Sequence, residues 1–193
     1  SAILELSSYF FTVLLVLIIH FLFTYGSFIL FLTKMNIFFF YKKMRNTILF
    51  AFSTASSAAT IPITLKTVEK ELGINKSVAS FTVPLGATIN MDGTAIMQGV
   101  ATVFIANVYG IQLNFSDYLS VILIATLASI GTAGVPGVGL IMLAMVLNQV
   151  GLPTEGIALI IGIDRILDMT RTAVNVTGDA AVSCVVANTE KNK

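Results

Sequence analysis

The feature that most limits what this chain can become is a set of ionisable residues inside an apolar segment near its carboxyl end. Between about Ile157 and Val186 lie Asp164, Asp168, Arg171, Asn175 and Asp179. The segment meets the ~20 residues that a helix needs to cross a bilayer. At 100° per residue those five side chains fall at about 0°, 40°, 340°, 20° and 60° on a helical wheel. Four ionisable groups and one amide therefore share an arc of about 80°, and most of the remaining face is aliphatic. Each charge at the bilayer centre costs roughly 2.5–3.5 kcal/mol. Such a helix must turn its stripe toward protein, ions or a charged ligand. A buried structural ion-pair ladder meets that condition. A site for a small charged solute meets it and also gives the charges a use.

Composition agrees with a membrane setting. Hydrophobic residues make up 56% of the chain and charged residues 11%, with a mean hydropathy of +0.92, against about 25% charged residues in soluble domains. The expected class is an all-α integral membrane protein, multi-pass in a cell (inner) membrane. The formal net charge of +1 says nothing about partners; no nucleic-acid partner is expected. One cysteine, Cys184, excludes an internal disulfide and reads as a packing residue. His20, alone in the first apolar run, reads as a satisfied interior histidine. That run is too long for a signal peptide and lacks a basic flank. The chain begins with Ser1 rather than Met, which leads us to expect a piece of a longer protein.

Read in order, the chain divides into five parts. Residues 1–45 hold one spanning helix, charge-free from Leu6 to Thr33, and a basic segment with Lys34, Lys42, Lys43 and Arg45. That basic end is placed on the cytoplasmic side, with Phe38–Tyr41 as an interfacial aromatic patch. Residues 46–76 hold a charge-free stretch with Lys66, Lys70 and Lys76 beyond it. Basic flanks on both sides predict a re-entrant hairpin from the cytoplasm, its tip within Ser53–Pro62. Its arms of nine or ten residues, about 15 Å each, are too short for a core of about 30 Å. Residues 77–110 form a transmembrane helix broken at Asn90-Met91-Asp92-Gly93-Thr94, because non-helical backbone at that depth survives only inside protein or along a cavity. Residues 118–154 form a second re-entrant hairpin, entering from outside, with a tip at Ser129–Gly139 where four glycines and a proline end a helix. Residues 155–193 form the closing amphipathic helix and a cytoplasmic tail. On this topology nine of the eleven basic residues, Lys191 and Lys193 included, are cytoplasmic and no external loop has one.

Each hairpin precedes a helix bearing an Asn and an Asp: Asn90 and Asp92, then Asn175 and Asp179. The hairpins enter from opposite sides, so the expected fold is an inverted repeat of re-entrant hairpin plus transmembrane helix, an architecture of secondary transporters. Free N–H groups at a hairpin tip suit an anion and carbonyl ends suit a cation. Arg171 matches a carboxylate bidentately, Asp168 can take an ammonium, and Asn175 can bond a second carboxylate with help from backbone near Ser57 and Gly134. This set describes an acidic α-amino acid. Asp179, Asn175 and Asn90, with a carbonyl such as that of Gly86, would hold a cation, and Asp92 could serve a second.

The motif Asn90-Met91-Asp92-Gly93-Thr94, the glycine-rich tip 129–139 and the run Asp168 to Asp179 together resemble the dicarboxylate/amino acid:cation symporter family, which includes glutamate and aspartate transporters. The resemblance runs from about Glu5 to Glu190. It implies a homotrimer whose mobile transport domain slides against a fixed scaffold, an elevator-type mechanism. It also implies the second hairpin as the extracellular gate and cotransport of Na+, or of H+ in some members. It implies Arg171, Asp168, Thr172, Asn175 and Thr94 as substrate contacts, with Ser56, Ser57, Gly134 and Val135 at the tips. One sodium would lie at Gly86, Asn90, Asn175 and Asp179. A second would use carbonyls of Thr88, Ser129, Ile130 and Thr132, and a third would use Asn90 and Asp92. Family members are about twice this long, so the chain corresponds to their transport core from the sixth membrane helix onward. It has Ala55 where many prokaryotic members carry an arginine and Met169 where animal members carry one. Arg165, off the main stripe, is the candidate stand-in.

The resulting expectation is a core for symport of L-glutamate or L-aspartate, and not an enzyme. Two alternatives stay open: a truncated remnant that binds solute or a partner without transporting, and a symporter of dicarboxylates or neutral amino acids.

Overall fold

The computed structural model describes residues 2–191, with the side chain of Ala2 left out; Ser1, Asn192 and Lys193, the last counted above among the cytoplasmic basic residues, lie outside the described residues. The described residues are helical throughout their regular structure. Helix α1 (Ala2–Ile19) continues through a π-turn at His20–Thr24, a short helical link and a second π-turn at Phe28–Thr33. Over Ile3–Thr33 it is long and apolar enough to cross a membrane. Lys34, left-handed at φ 59°, ends it.

Helix α2 (Ile37–Thr54) and helix α3 (Ser57–Lys66) follow, separated by Ala55 and Ser56. The break falls inside the predicted tip, but the first arm is much longer than expected. It is 18 residues, about 27 Å at 1.5 Å per residue, and it absorbs Phe38–Tyr41 and the basic residues after them. Two features explain the extension: the Asn36 side chain caps it by accepting from Phe39 N, and Lys and Arg are good helix formers whose stems can snorkel. Pro62 does not stop a helix either, for α3 runs through it.

Helices α4 (Lys76–Ile89) and α5 (Asp92–Val108) are broken at Asn90-Met91, inside the predicted interruption. Helix α6 (Phe115–Ile130) starts on a capping box between Asn114 and Asp117. It is separated from α7 (Val138–Gln149) by residues 131–137. It begins before the predicted boundary at 118 because Asn114 starts the helix ahead of Asp117. Helix α8 (Ile157–Lys191) forms the predicted closing segment after a 3-10 turn at Thr154–Gly156.

Helix α8 is the central element. It packs most broadly against α2 and α4, and also touches α1, α3, α5 and α7. From Arg171 to Ala181 every residue of it is buried. Beside an apolar core, the polar groups Asp164, Arg171, Asn175 and Asp179 also lie inside, while Phe11, Phe31, Ile122 and Ile141 are more than 60% exposed. Outward apolar side chains with the charged groups turned inward are what a hydrocarbon solvent selects. Cys184 is buried and free, and packs within the apolar core.

Candidate solute and cation site

The two chain breaks meet over the middle of α8. Ala55 takes a left-handed φ of 51°, a conformation that costs a non-glycine residue of order 1 kcal/mol. This turn brings Ser56 into the cap position of α3. Its hydroxyl accepts from Ala59 N at 3.1 Å and donates to the Gly134 carbonyl at 2.7 Å. Ala58 N donates to the same carbonyl at 3.0 Å. The approach is close enough that a Cβ on Gly134 would lie 3.0 Å from Ala58 N and from the Ala87 carbonyl. Two amino-end donors of α3 thus hold the loop of residues 131–137 from below.

Beneath that junction is a small cavity of about 20 Å³, lined among others by Ser57, Thr94, Thr132, Gly134, Val135, Asp168, Thr172 and Asn175. Seven of the predicted solute contacts therefore line one cavity, while Arg171 and Ser56 lie outside its lining. Its volume fits one water by the usual ~10–15 Å³ criterion and is far too small for an amino acid. Arg171 is 1% exposed, with both terminal nitrogens bonded and its Nε buried without a hydrogen-bond partner. It donates from Nη1 to Asp164 Oδ1 at 2.6 Å, and from Nη2 to Asp164 Oδ2 at 3.2 Å and Asp168 Oδ1 at 3.1 Å. The other Asp168 oxygen accepts from Gly137 N at 3.0 Å. Arg171 and Asp168, read from sequence as separate clamps, are here partners of each other. Thr172 donates to the Asp168 carbonyl at 2.8 Å. The Asn175 side chain accepts from Gly93 N at 2.8 Å and reaches Thr94 Oγ1 at 3.4 Å. Val135 is 46% exposed on the outer side of the loop.

One turn further along α8, oxygen donors gather. Asn90 donates to Asp179 Oδ1 at 2.9 Å and to the Asn175 carbonyl at 3.2 Å. Gly86 lies directly against the carboxylate, so a Cβ there would fall 2.6 Å from Asp179 Oδ1. Gly86, Asn90, Asn175 and Asp179 are thus brought together as predicted, and their carboxylate, amide and carbonyl oxygens suit a hard cation. Thr88 and Ile130 are exposed while Ser129 and Thr132 are buried. Thr88, Ser129 and Ile130 end α4 and α6, where the last carbonyls lack intrahelical partners; Ser129 O accepts from Thr132 N at 3.2 Å.

Asp92 goes elsewhere. Its carboxylate accepts from Tyr25 Oη at 2.7 Å on both oxygens, and Oδ2 lies 2.6 Å from His20 Nε2. His20 is the satisfied interior histidine that its setting suggested. Its ring also packs edge-on against Tyr25, with centroids 4.9 Å apart.

Sequence reasoning left two of these residues without a role. Asp164 was placed on the stripe only; its signal was the spacing of seven to Arg171, two turns on one face. Tyr25 gave no signal, because on an α-helix it would point about 140° away from His20. The π-turn at His20–Thr24 brings both to Asp92. Arg165 is exposed, beside an apolar groove between α7 and α8, and does not reach the Arg171 cluster.

Comparison with known proteins gives the family. The pattern of the sodium:dicarboxylate symporter family matches residues 1–189. An excitatory amino acid transporter of Caenorhabditis elegans is 44% identical over 186 residues, covering 96% of this chain and 37% of that protein. The human excitatory amino acid transporters 5 and 2 are 43% and 42% identical, over 95% and 98% of this chain and 33% of each relative. The chain therefore spans about a third of the length of the curated relatives it matches, a smaller share than the half expected above. With the match running through both chain breaks and the polar stripe of α8, the chain belongs to the sodium:dicarboxylate symporter family.

Proposed function

We propose that this chain is the solute- and cation-binding portion of a membrane transporter that carries an acidic amino acid, glutamate or aspartate, together with Na+. The observation that carries the reading is a fully buried guanidinium, Arg171, bonded to Asp168, which with Thr172, Asn175 and Thr94 lines the cavity at the meeting point of two helix breaks. Burying an arginine costs several kcal/mol unless it is paired, and this one lies where a solute carboxylate could replace an internal acid. Asp168, released from Arg171, would receive the ammonium. The names of the relatives, excitatory amino acid transporters, support the same substrate class. The Gly86, Asn90, Asn175 and Asp179 oxygens would hold one Na+, and carbonyls of Thr88, Ser129, Ile130 and Thr132 a second. On this reading α2–α3 and α6–α7 are re-entrant hairpins, residues 131–137 form the gate, and the remaining two thirds of the protein supply the scaffold of a homotrimer in which the core moves as an elevator.

The test is Arg171→Met in the complete transporter. L-aspartate and L-glutamate affinity collapses while Na+ binding persists. Acidic-substrate binding at the unsubstituted level would refute the assignment of the site.

A further inference from the structure

Asp92 presents an arrangement that the reading above does not use. The Tyr25 hydroxyl is equidistant, at 2.7 Å, from the two oxygens of this carboxylate. It therefore sits on the bisector between them, in the seat a cation takes when a carboxylate binds it through both oxygens. His20 Nε2, at 2.6 Å, takes a further position on Oδ2. An ionised carboxylate has about four lone-pair sites. With the inner pair shared by Tyr25 and one outer site held by His20, the outer lone pair of Oδ1 is what remains.

The phenol is held there firmly. Tyr25 is 1% exposed, and α8 passes so close that a Cβ on Gly178 would collide with the Tyr25 hydroxyl and lie 2.5 Å from Asn90 Nδ2. The π-turn before Tyr25, whose backbone N bonds the His20 carbonyl, aims both residues at one target; such turns occur often at functional sites. The Asp92 side chain itself is 32% exposed, so its free edge is reachable.

We propose that Tyr25 is a specificity-determining residue: by filling the two-oxygen seat of Asp92 it restricts this carboxylate to one-oxygen ligation and so excludes divalent cations from the Asp92 site. Calcium favours six to eight oxygens and often takes a carboxylate through both. A monovalent alkali cation gains less from the second oxygen and accepts a single one. The proposal rests on the reading of Asp92 as a cation ligand. It adds the source of discrimination, which lies in a residue of α1 rather than in the motif at Asn90–Thr94.

The experiment uses the complete transporter, purified, without substrate, and follows thermal unfolding and calorimetric binding on addition of NaCl or CaCl2. The unsubstituted protein responds to Na+ and not to Ca2+. Tyr25→Phe keeps the ring and removes the blocking oxygen. It binds Ca2+ at least about tenfold more tightly than the unsubstituted protein, and Ca2+ then competes with Na+. Tyr25→Leu, a second way of removing the hydroxyl, gives the same gain, and Asp92→Asn added to either variant abolishes it. Unchanged Ca2+ binding in folded Tyr25→Phe or Tyr25→Leu overturns the proposal. A gain that survives Asp92→Asn overturns it as well. If the unsubstituted protein fails to respond to Na+, the cation-coupled reading itself fails, which is a separate result.

Discussion

Replacing Asp164 by asparagine removes a negative charge from the most buried cation of the molecule. Arg171 is 1% exposed and the Asp164 side chain 5%, so water does not compensate the loss. Stripping a buried ion of its partner costs about 3–5 kcal/mol. Here the cost is smaller for two reasons. Asp168 still opposes the guanidinium at 3.1 Å, and the amide oxygen of asparagine can still accept one of the two bonds now at 2.6 and 3.2 Å. We expect a destabilisation of about 2 kcal/mol, read as a lower unfolding midpoint of the complete transporter in detergent. The sign reverses for ligand binding. A solute carboxylate meets less internal competition for Arg171, so L-aspartate recovers part or all of the loss. Full recovery corresponds to about thirtyfold tighter binding, and the L-aspartate-induced rise in midpoint exceeds that of the unsubstituted protein. An Asp164→Asn variant that unfolds at the unsubstituted midpoint, or gains no more from L-aspartate, refutes the idea that Asp164 holds the solute's place.

Two further substitutions probe the surroundings. Gly178→Ala places a methyl on Asn90 Nδ2 and Tyr25, which forces α8 away from the Asn90-Met91 break. The expected cost is about 1–3 kcal/mol with loss of Na+-induced stabilisation, and an unaltered Na+ response in thermal unfolding contradicts it. At the opposite end, the Lys43 ammonium at 2.7 Å from Glu71 holds that carboxyl below its ordinary range. A lowered folded pKa means that the stabilisation is present above the ordinary glutamate pKa and disappears as pH falls through the lowered one. Denaturation profiles of Glu71→Gln and the unsubstituted protein therefore differ at neutral pH and converge in acid; a constant gap across that range excludes this pair as the cause.

Much of the site could be read from residue types and spacing. Asp168, Arg171, Asn175 and Asp179 share a helix face by simple periodicity, and a buried polar face predicts itself wherever the alternative is hydrocarbon. The interruption at Asn90–Thr94 and the glycine-rich break at 131–139 were equally legible, because Gly, Pro and Asp rarely continue an apolar helix. The boundaries of α2 were not. Charged residues mark the edge of a membrane segment but not of a helix, for lysine and arginine continue a helix readily and leave the decision to the Asn36 cap. The pairing of Arg171 with Asp164 was hidden for another reason: a helical wheel shows which side chains share a face and says nothing of which rotamers meet. Tyr25 was beyond reach altogether, since the π-turn at His20–Thr24 changes the period on which the reading depends.

Asp168 links the two halves of the site, and this link decides how a solute could enter a space of about 20 Å³. One of its oxygens holds Arg171 and the other holds Gly137 N. Gly137, left-handed at φ 81°, is the cap residue of α7 and the end of the loop proposed as the gate. The same loop is tied at Gly134 O by Ser56 and Ala58. Opening it exchanges one charge-assisted bond worth about 1.5–3 kcal/mol and two neutral bonds of about 1 kcal/mol each. The sum, about 3–5 kcal/mol, corresponds to an open population of roughly one in a hundred to one in several thousand. Apparent affinity is reduced by that fraction, while closure over a bound solute regains the bonds at Gly134. An ammonium on Asp168 draws the carboxylate from Arg171 just as the guanidinium receives the solute's own acid group. A solute with the acid but no ammonium would bring a third carboxylate to a guanidinium that already faces Asp164 and Asp168, and one with the ammonium but no second acid would leave Arg171 to Asp164 alone beneath the closed loop. Discrimination on the proposed reading therefore arises when the gate closes, because only a solute with both charges makes the full exchange.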